Sequence, residues 1–351
     1  MNHLVIMAGG IGSRFWPMST PGKPKQFIDV LGTGKTLLQL TVERFAGVCP
    51  ISNVWVVTSV KYRELVKMQL PDIPDSNILL EPCMRNTAPC IAYVAWKIKQ
   101  KDPEANLVVS ASDHIVIDVA EFKKVIRKGL DFVAAEDRIL TLGMLPTRPE
   151  TGYGYIKVKD GSSNIKIGEE ICEVEGFKEK PDRETAEKYL SEGGYFWNAG
   201  IFLWNVRTVE KAFRKNQPEM AALFDSMNEY FYTPGEQTIV DVKFPQCESI
   251  SVDYAIMERA GNIYVFPADF GWSDLGTWGS LYEQLSKDPS GNAVVGEQVR
   301  MIESKGCIVH VSEDKKVVIQ GLDDYIIAEQ DNVILICRKS DEQRIKEFSK
   351  S

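Results

Sequence analysis

The chain has 351 residues, of which 44% are hydrophobic and 26% are charged. These fractions are typical of a globular protein and exclude a disordered chain, collagen and a low-complexity fibre. The formal net charge is −8, which argues against binding of long nucleic acid because that binding relies on a broad basic face. At about 150 residues per domain, the length predicts roughly two domains.

The cysteines and the N-terminal residues indicate a cellular compartment. Seven cysteines are scattered along the chain without a C-x-x-C pair. This pattern fits neither a disulfide framework nor a zinc site, and it is typical of a reducing compartment. The apolar run near the N-terminus has five residues, which is too short for a signal peptide or a membrane span. We therefore expect a cytoplasmic protein that does not enter a membrane.

Short β-branched segments alternate with longer helical patterns in the first half of the chain. Strands are predicted over residues 3–7, 54–58, 77–80, 107–109 and 139–143. Helices are predicted over residues 36–48, 62–70, 86–101 and 120–135. This alternation predicts an α/β fold with a parallel sheet and right-handed crossovers. Binding residues are then expected at the carboxyl ends of the strands.

The pattern changes after Pro149, where we expect a substrate-binding half built onto the same sheet. Strands are predicted over residues 154–158, 171–177 and 195–205, and helices over residues 208–231, with Pro218 as a candidate break, and 252–260. Short β segments follow at residues 308–311, 317–319, 325–328 and 333–337, before a last helix at residues 341–350. Regular short strands favour a small β domain or coils of a β-solenoid. The predicted domains are therefore residues 1–287 and 288–351.

The first motif is a glycine-rich loop directly after the first strand, Ala8-Gly9-Gly10-Ile11-Gly12-Ser13-Arg14. Its glycines let backbone amides approach an anion closely. A dinucleotide fingerprint would require glycine at position 15, which is Phe, and a helix where this chain has three prolines. Residues 32–36 resemble the end of a Walker A motif but lack its first glycine, so they indicate a turn. Arg14 and Lys25 make the first loop the better candidate for a phosphate site.

Polar residues also follow two further predicted strands. Glu81 precedes the segment RNTAP, and its carboxylate could accept two adjacent N–H groups of a guanine base. Asn86 in that segment is equally plausible as the N-cap of a helix. Asp113 follows the strand at 107–109, where an acid is a candidate site residue by position, although it could instead cap the next helix.

Three motifs in the second half contain further candidates. Glu179 and Lys180 end a predicted strand in FKEKP, where the simple alternative is alternation of charges in solvent. Asn198 lies inside an aromatic strand and needs a hydrogen-bond partner if it is buried. Asp274 lies between two tryptophans and two glycines, where it could also form an Asx turn.

Taken in order, these motifs resemble the sugar-nucleotide pyrophosphorylases, specifically the bacterial mannose-1-phosphate guanylyltransferases. The resemblance covers almost the whole chain: GGIGSRFWP…PKQF at 9–27, EP…RNTAP at 81–89, SDH at 112–114, PTRPETGYGYI at 146–156, FKEKPD at 177–182, WNAGIFLW at 197–204, SVDYAIME at 251–258 and WSDLGTW at 272–278. RNTAP together with WPxS…PKQF distinguishes the guanylyl branch from the thymidylyl and uridylyl branches. Ala111-Ser112 and Thr20 depart from the common family residues without removing a charged candidate.

The resemblance implies a fold and a reaction. The expected fold is a Rossmann-like nucleotidyltransferase domain with a mixed, mainly parallel sheet, followed by a small β-helix-like domain. The expected reaction converts GTP and mannose 1-phosphate into GDP-mannose and pyrophosphate, by in-line attack of the sugar phosphate on the α-phosphorus. The phosphomannose isomerase domain of longer relatives is not expected. Two alternatives remain: a GDP-sugar synthase for another hexose or heptose 1-phosphate, and a non-catalytic nucleotide-sugar-binding homologue.

The resemblance also implies roles for individual residues. Nucleotide binding is expected from Ala8, Gly9, Gly10, Gly12, Ser13, Arg14, Lys25, Glu81, Asn86 and Thr87. Sugar-phosphate binding is expected from Gly154, Glu179, Lys180, Asn198 and Asp253. Mg²⁺ is expected on Asp113 and Asp274, which form the catalytic set with Arg14 and Lys25. The β segment after Asp288 is expected to support a homodimer, although docking onto its own catalytic domain would also cover its apolar strands.

Overall fold

The structure is a computed structural model, and it describes residues 1–10, 12–159 and 165–349. Within this range the chain divides into two compact units. The first unit contains residues 1–9, 42–112 and 116–272. The second unit contains residues 10–41, 113–115 and the described chain from residue 273 onwards. The predicted domain boundary between residues 287 and 288 falls inside the second unit, and it stays a prediction.

Strands and helices alternate over the first 144 residues, as predicted. The strands are β1 (Asn2–Met7), β2 (Val54–Ser59), β3 (Ile78–Glu81), β4 (Asn106–Ala111), β5 (Ile115–Val116) and β6 (Ile139–Met144). The helices are α1 (Leu37–Arg44), α2 (Arg63–Gln69), α3 (Thr87–Lys99) and α4 (Val119–Ala134). Every helix predicted here is present, and α1 is shorter than the pattern indicated.

Helix α4 shows how the local sequence determines an element of this half. The Asp118 side chain accepts the N–H of Glu121 and caps the helix. Phe122, Val125 and Ile126 are buried with Gly129, Leu130 and Val133 at helical spacing. The sequence left open that Asp113 caps this helix, but the capping residue is Asp118.

The next part of the chain departs further from the sequence pattern. Its strands are β7 (Tyr155–Val158), β8 (Cys172–Lys178), β9 (Tyr195–Asn205), β10 (Ile263–Ala268) and β11 (Trp272–Ser273), and its helices are α5 (Arg183–Glu192), α6 (Val206–Asn216), α7 (Pro218–Asp225) and α8 (Glu236–Lys243). The helix predicted over 208–231 is broken at Pro218, the candidate break, because Pro218 lacks an N–H and begins α7. The helix predicted over 252–260 is a short π-helix over Asp253–Met257.

One mixed sheet organises the first unit, with the strand order β3-β2-β1-β4-β9-β6-β10-β8-β7. Parallel pairing joins β1 to β2 and β4, β2 to β3, and β6 to β10. Strand β9 is antiparallel to both β4 and β6, and β7 and β8 form an antiparallel pair. The predicted mixed α/β fold is therefore confirmed. Met7 lies opposite Ala111, so the residues that follow β1 and β4 share one edge of the sheet.

Short strands dominate the C-terminal part of the second unit. They are β12 (Ala293–Val295), β13 (Gln298–Ile302), β14 (Ile308–His310), β15 (Lys316–Gln320), β16 (Tyr325–Gln330) and β17 (Val333–Arg338), accompanied by α9 (Trp278–Gln284) and α10 (Ile345–Phe348). Strands β12, β14 and β16 pair in parallel, as do β13 and β15. Stacked short parallel strands are typical of solenoid coils. The last predicted helix starts as a 3₁₀-helix over Lys339–Arg344, and Lys350 lies outside the described residues.

The proline-rich loop and the C-terminal strands of the second unit share one hydrophobic core. Its buried members include Phe15, Met18, Ile28, Val30, Leu37, Trp278, Leu281, Ile308, Ile326, Leu335 and Ile345. The ring centroids of Phe15 and Trp278 are 5.4 Å apart. The chain itself therefore covers one face of β14 and β16, which is one of the two sources of cover expected from the sequence. Among the described helices, none combines the length and apolarity needed to cross a bilayer.

The shared core predicts a large difference between two isoleucines on adjacent strands. Ile326 is fully buried in this cluster, whereas the Ile334 side chain is 66% exposed. We expect Ile326→Ala to lower the free energy of unfolding by about 2–5 kcal/mol. The control Ile334→Ala should change it by about 0.5 kcal/mol or less. Urea unfolding followed by tryptophan fluorescence measures both, and equal losses would contradict the assignment of this core.

Candidate active site

One cavity in the second unit contains the four residues predicted to form the catalytic set. Arg14, Lys25, Asp113 and Asp274 line a cavity of about 310 Å³. Its other lining residues are Gly12, Phe15, His114, Leu275, Gly276 and Lys346. Three separate chain segments therefore bring two basic and two acidic side chains together. The position of Lys346 was not predicted, because it depends on the packing of the C-terminal helix.

Lys25 is the most deeply buried of these charges, with 4% of its surface exposed. Its Nζ lies 2.9 Å from Asp113 Oδ2 and donates to the carbonyl oxygens of Asp274 (3.0 Å) and Leu275 (2.8 Å). Burial alone would raise the pKa of Asp113, but the positive charges of Lys25 and His114 outweigh burial and lower it. Asp113 is therefore ionised at neutral pH.

Gly12 is the glycine of the loop whose conformation requires the absence of a side chain. Its φ is +61°, and an added Cβ would lie 2.5 Å from Lys25 Cβ. Gly10 has no such restriction, since nothing lies within 4 Å of its Cβ position, and its carbonyl accepts from Gln26 Nε2 at 2.9 Å. The side chain of Ser13 lies outside the described part of the structure.

The two aspartates of this cavity fit a magnesium ion by their chemistry. Mg²⁺ in proteins takes one or two carboxylates and completes its shell with phosphate oxygens and water. Asp113 and Asp274 line the same cavity, and Asp274 Oδ1 also accepts the N–H of Gly276 at 3.0 Å in the turn expected from the sequence. Among the described residues, no group of three or more His, Cys, Asp or Glu could hold a metal. A two-carboxylate Mg²⁺ site stays a prediction.

Glu81 ends β3 in the first unit, and its carboxyl group is buried. Burial raises its pKa to about 7, although a hydrogen bond from the Cys90 thiol lowers it in part. Within the described residues, Oε1 has no hydrogen-bond partner. The Cβ of an alanine at position 9 would lie 3.4 Å from the other carboxylate oxygen, so the backbone of Gly9 lies close to the Glu81 carboxyl group. A buried oxygen without a donor requires a partner, which a ligand could supply.

Three other residues predicted to bind the nucleotide make hydrogen bonds within the protein. Asn86 adopts a φ of 68° and its Oδ1 accepts the N–H of Thr87, so the expected N-cap is present. The Thr87 hydroxyl accepts the N–H of Val252 at 2.9 Å. Ala8 is buried, and its carbonyl accepts from the Thr58 hydroxyl at 2.8 Å. Nucleotide contacts by Ala8, Asn86 and Thr87 therefore stay predictions.

The predicted sugar-phosphate residues form a second cluster, in the first unit. A Cβ at Gly154 would lie 2.5 Å from Glu179 Oε2, and the Gly154 carbonyl accepts the N–H of Asn198 at 2.8 Å. Asn198 Nδ2 donates to Asp253 Oδ1 at 3.0 Å. The Nζ of Lys180, which is exposed, lies 2.8 Å from Glu179 Oε1. Motifs far apart in sequence thus meet at one place.

The acids of this second cluster affect one another. Burial raises the pKa of Asp253 to about 6, with a further contribution from the negative charge of Glu179. For Lys180, burial favours the neutral form, but the Glu179 carboxylate outweighs it and raises the pKa.

Thr141 and Glu258 also contact this cluster, and the sequence did not predict them. The Thr141 hydroxyl donates to Asn198 Oδ1 at 2.9 Å, and a Glu258 oxygen accepts the N–H of Glu179 at 3.2 Å.

The close packing at Gly12 predicts contrasting effects of two alanine substitutions in one loop. Gly12→Ala should lower the free energy of unfolding by about 1–3 kcal/mol through the left-handed backbone alone, and the overlap with Lys25 adds to this loss. The control Gly10→Ala should be close to neutral because its Cβ position is open. Urea titration of both variants is the measurement. A Gly12→Ala protein as stable as wild type would show that the loop can rearrange without cost.

Three kinds of comparison with known proteins gave consistent matches. A family model described as "Nucleotidyl transferase" matches residues 3–291. The mannose-1-phosphate guanylyltransferase 2 of Escherichia coli O157:H7 is 35% identical over 98% of this chain and 72% of its own length. The alginate biosynthesis protein AlgA of Pseudomonas aeruginosa is 32% identical over 99% of this chain and 71% of its own. A crystal structure from Thermus thermophilus, described as a mannose-1-phosphate geranyltransferase, has a TM-score of 0.88 and 29% identity, covering 99% of this chain and 98% of that one.

Proposed function

The chain belongs to the nucleotidyl transferase family, among the mannose-1-phosphate guanylyltransferases, and from this premise we propose that it transfers GMP from GTP to mannose 1-phosphate. The products are GDP-mannose and pyrophosphate. The observation that supports the proposal best is the placement of Arg14, Lys25, Asp113 and Asp274 around one charged cavity. Phosphoryl-type transfer suits such a site, since it depends mainly on positioning and on neutralisation of charge.

The reaction needs no nucleophile from the protein. A phosphate oxygen of mannose 1-phosphate forms a bond to the α-phosphorus of GTP while the bond to pyrophosphate breaks. Arg14 is exposed and its guanidinium can contact nucleotide phosphates. Lys180, whose Nζ is paired with Glu179, would hold the sugar phosphate, while Glu179 and Asp253 would accept hydrogen bonds from sugar hydroxyls.

Two further groups complete the proposed chemistry. Asp113 and Asp274 would hold Mg²⁺, which when bound neutralises charge on the α-phosphate. Glu81 would accept the N1–H and N2–H groups of guanine, because its carboxylate is buried and its Oε1 has no donor among the described residues. Uracil and adenine do not offer two adjacent donors to one carboxylate, so Glu81 would favour GTP.

The direct test is pyrophosphate release by the purified chain with a panel of nucleoside triphosphates and sugar 1-phosphates. We expect the fastest release with GTP and mannose 1-phosphate. Faster release with another hexose or heptose 1-phosphate would assign a different GDP-sugar. No release with any pair, despite measurable nucleotide binding, would favour the non-catalytic homologue.

The proposed metal site predicts a strong effect of two conservative substitutions. Asp113→Asn and Asp274→Asn should each lower Mg²⁺-dependent kcat/KM by about 10²-fold or more, because each removes a charge that would position the ion. Thermal unfolding should show that both variants remain folded. Asp314→Asn, at a side chain that is 75% exposed, is the matched control. Near-normal activity of either active-site variant would remove that residue from the metal site.

The raised pKa of Glu81 predicts how GTP use depends on pH. Only the ionised carboxylate can accept both guanine N–H groups, and with a pKa of about 7 its ionised fraction increases about tenfold between pH 6 and pH 8. The KM for GTP should therefore fall by up to about tenfold over this range. Glu81→Gln is the control, because it removes the titrating carboxyl group while any pH dependence that comes from the phosphates of GTP remains. A variant profile parallel to that of wild type would exclude Glu81 as the titrating group.

We also propose a cytoplasmic homodimer. The scattered cysteines support the compartment, and all seven are free thiols in the structure. The exposed face of β17 supports self-association, because Ile334 and Ile336 are 66% and 57% exposed on one face of a two-residue period. Sedimentation velocity should show a dimer that Ile336→Asp dissociates. A wild-type monomer at micromolar concentration would contradict this assignment.

A further inference from the structure

Two helices of the first unit start close together, and their first residues are joined by hydrogen bonds. These are α3, which starts at Thr87, and the π-helix, which starts at Asp253. The N–H groups in the first turn of a helix have no acceptor within that helix. The Thr87 hydroxyl accepts the N–H of Val252 at 2.9 Å, and the Ala88 N–H donates to the Ile250 carbonyl at 3.1 Å. The start of each helix is therefore tied to the other.

The acceptor on Thr87 matters because the Val252 N–H is shielded from water. Val252 is 1% exposed, and its own side chain has no polar atom that could cap the helix. A buried N–H without a partner costs free energy. Thr87 therefore caps the π-helix from another element. It does so from a fixed position, because residues 88–98 of α3 are all buried.

The first residue of the π-helix, Asp253, belongs to the second cluster of site residues. It directly follows Val252, and its Oδ1 accepts from Asn198 Nδ2 at 3.0 Å. Glu258, which follows the π-helix, accepts the N–H of Glu179 at 3.2 Å. Helices with this hydrogen-bond pattern are rare and occur frequently at functional sites. The position of the π-helix therefore determines where the Asp253 carboxyl group lies in the cluster.

We propose that Thr87 is a positioning residue of the second cluster: its hydroxyl fixes the start of the π-helix and thereby places Asp253 for the hydroxyls of the sugar. This proposal rests on the proposed function, because it assigns a step in the recognition of mannose 1-phosphate. It differs from the expectation drawn from the sequence, which counted Thr87 among the nucleotide contacts. Loss of the hydroxyl should then weaken the use of mannose 1-phosphate and leave the use of GTP unchanged.

Two substitutions at Thr87 test this role in the reaction. Thr87→Val keeps the shape of the side chain but removes the acceptor, whereas Thr87→Ser keeps the hydroxyl. At saturating GTP, we expect Thr87→Val to lower kcat/KM for mannose 1-phosphate by about tenfold or more, because small displacements of a positioned group are costly. The KM for GTP should change by less than about twofold. Thr87→Ser should behave as wild type with both substrates.

Thr233→Val is the matched control for the loss of a hydroxyl acceptor. The Thr233 hydroxyl accepts the N–H of Gly235 at 3.2 Å, but the residue is exposed and belongs to neither cluster. This variant should leave both KM values unchanged. In combination with Asp253→Asn, Thr87→Val should add little further loss, because both changes act on the same carboxyl group. A loss with GTP in Thr87→Val as large as the loss with mannose 1-phosphate would overturn the proposal.

Hydrogen–deuterium exchange of the full-length protein without ligands gives a readout that does not require turnover. A peptide covering residues 250–257 should exchange at least about tenfold faster in Thr87→Val than in wild type, Thr87→Ser or Thr233→Val. Thr87→Ala removes the same acceptor, and it serves if the valine variant does not fold. Unchanged exchange in this peptide would overturn the proposal. Faster exchange in a chain that proved inactive with GTP and mannose 1-phosphate would support the role of Thr87 in holding the π-helix and contradict the proposed function alone.

Discussion

One buried ammonium group holds together the segments that form the cavity of the second unit. A charge removed from water is tolerated in a protein only when it is paired and hydrogen-bonded. Lys25 meets this condition with one carboxylate and two backbone carbonyls. The arrangement also bears on the acidic composition of the chain. A chain with a net charge of −8 that binds two phosphorylated substrates needs some positive charges at the place where they react, and the cavity contains Arg14, Lys25 and Lys346.

The two clusters of site residues use their carboxylates in different ways. In the second unit, neighbouring positive charges keep the pKa of Asp113 low, so this acid stays ionised and suits a cation. In the first unit, burial raises the pKa of Glu81 to about 7 and that of Asp253 to about 6. Such carboxyl groups are stabilised when a ligand brings N–H or O–H donors. Perturbed acids of both kinds are typical of functional sites. The difference between them is consistent with the proposed roles: a metal at Asp113, a guanine base at Glu81 and a sugar at Asp253.

The features that the sequence predicted best are those that depend on residues close together in the chain. Glu81 and Asp113 became candidates because they follow apolar strands, and the carboxyl ends of parallel strands are where α/β proteins bind ligands. Asn198 was found because an amide among aromatic residues needs a partner, and Thr141 and Asp253 are its partners. The partners themselves come from distant strands and helices, so no local pattern could identify them. The carbonyl acceptors of Lys25 could not be identified either, because every residue has a backbone carbonyl and the sequence does not show which one accepts a hydrogen bond.

Long-range packing also explains why the loop near the N-terminus belongs to the same compact unit as the C-terminal strands. The loop from Phe15 to Val30 contains three prolines and no helical period, so its order cannot come from local hydrogen bonding alone. Instead, its buried Phe15, Met18 and Ile28 share one core with strands near the other end of the chain. A loop whose apolar side chains are packed in this way can hold Arg14 and Lys25 at defined positions, as a site that works by positioning requires. The C-terminal strands thereby contribute to the proposed chemistry without supplying a residue of the predicted catalytic set, because they form the other side of the core against which the loop with Arg14 and Lys25 packs.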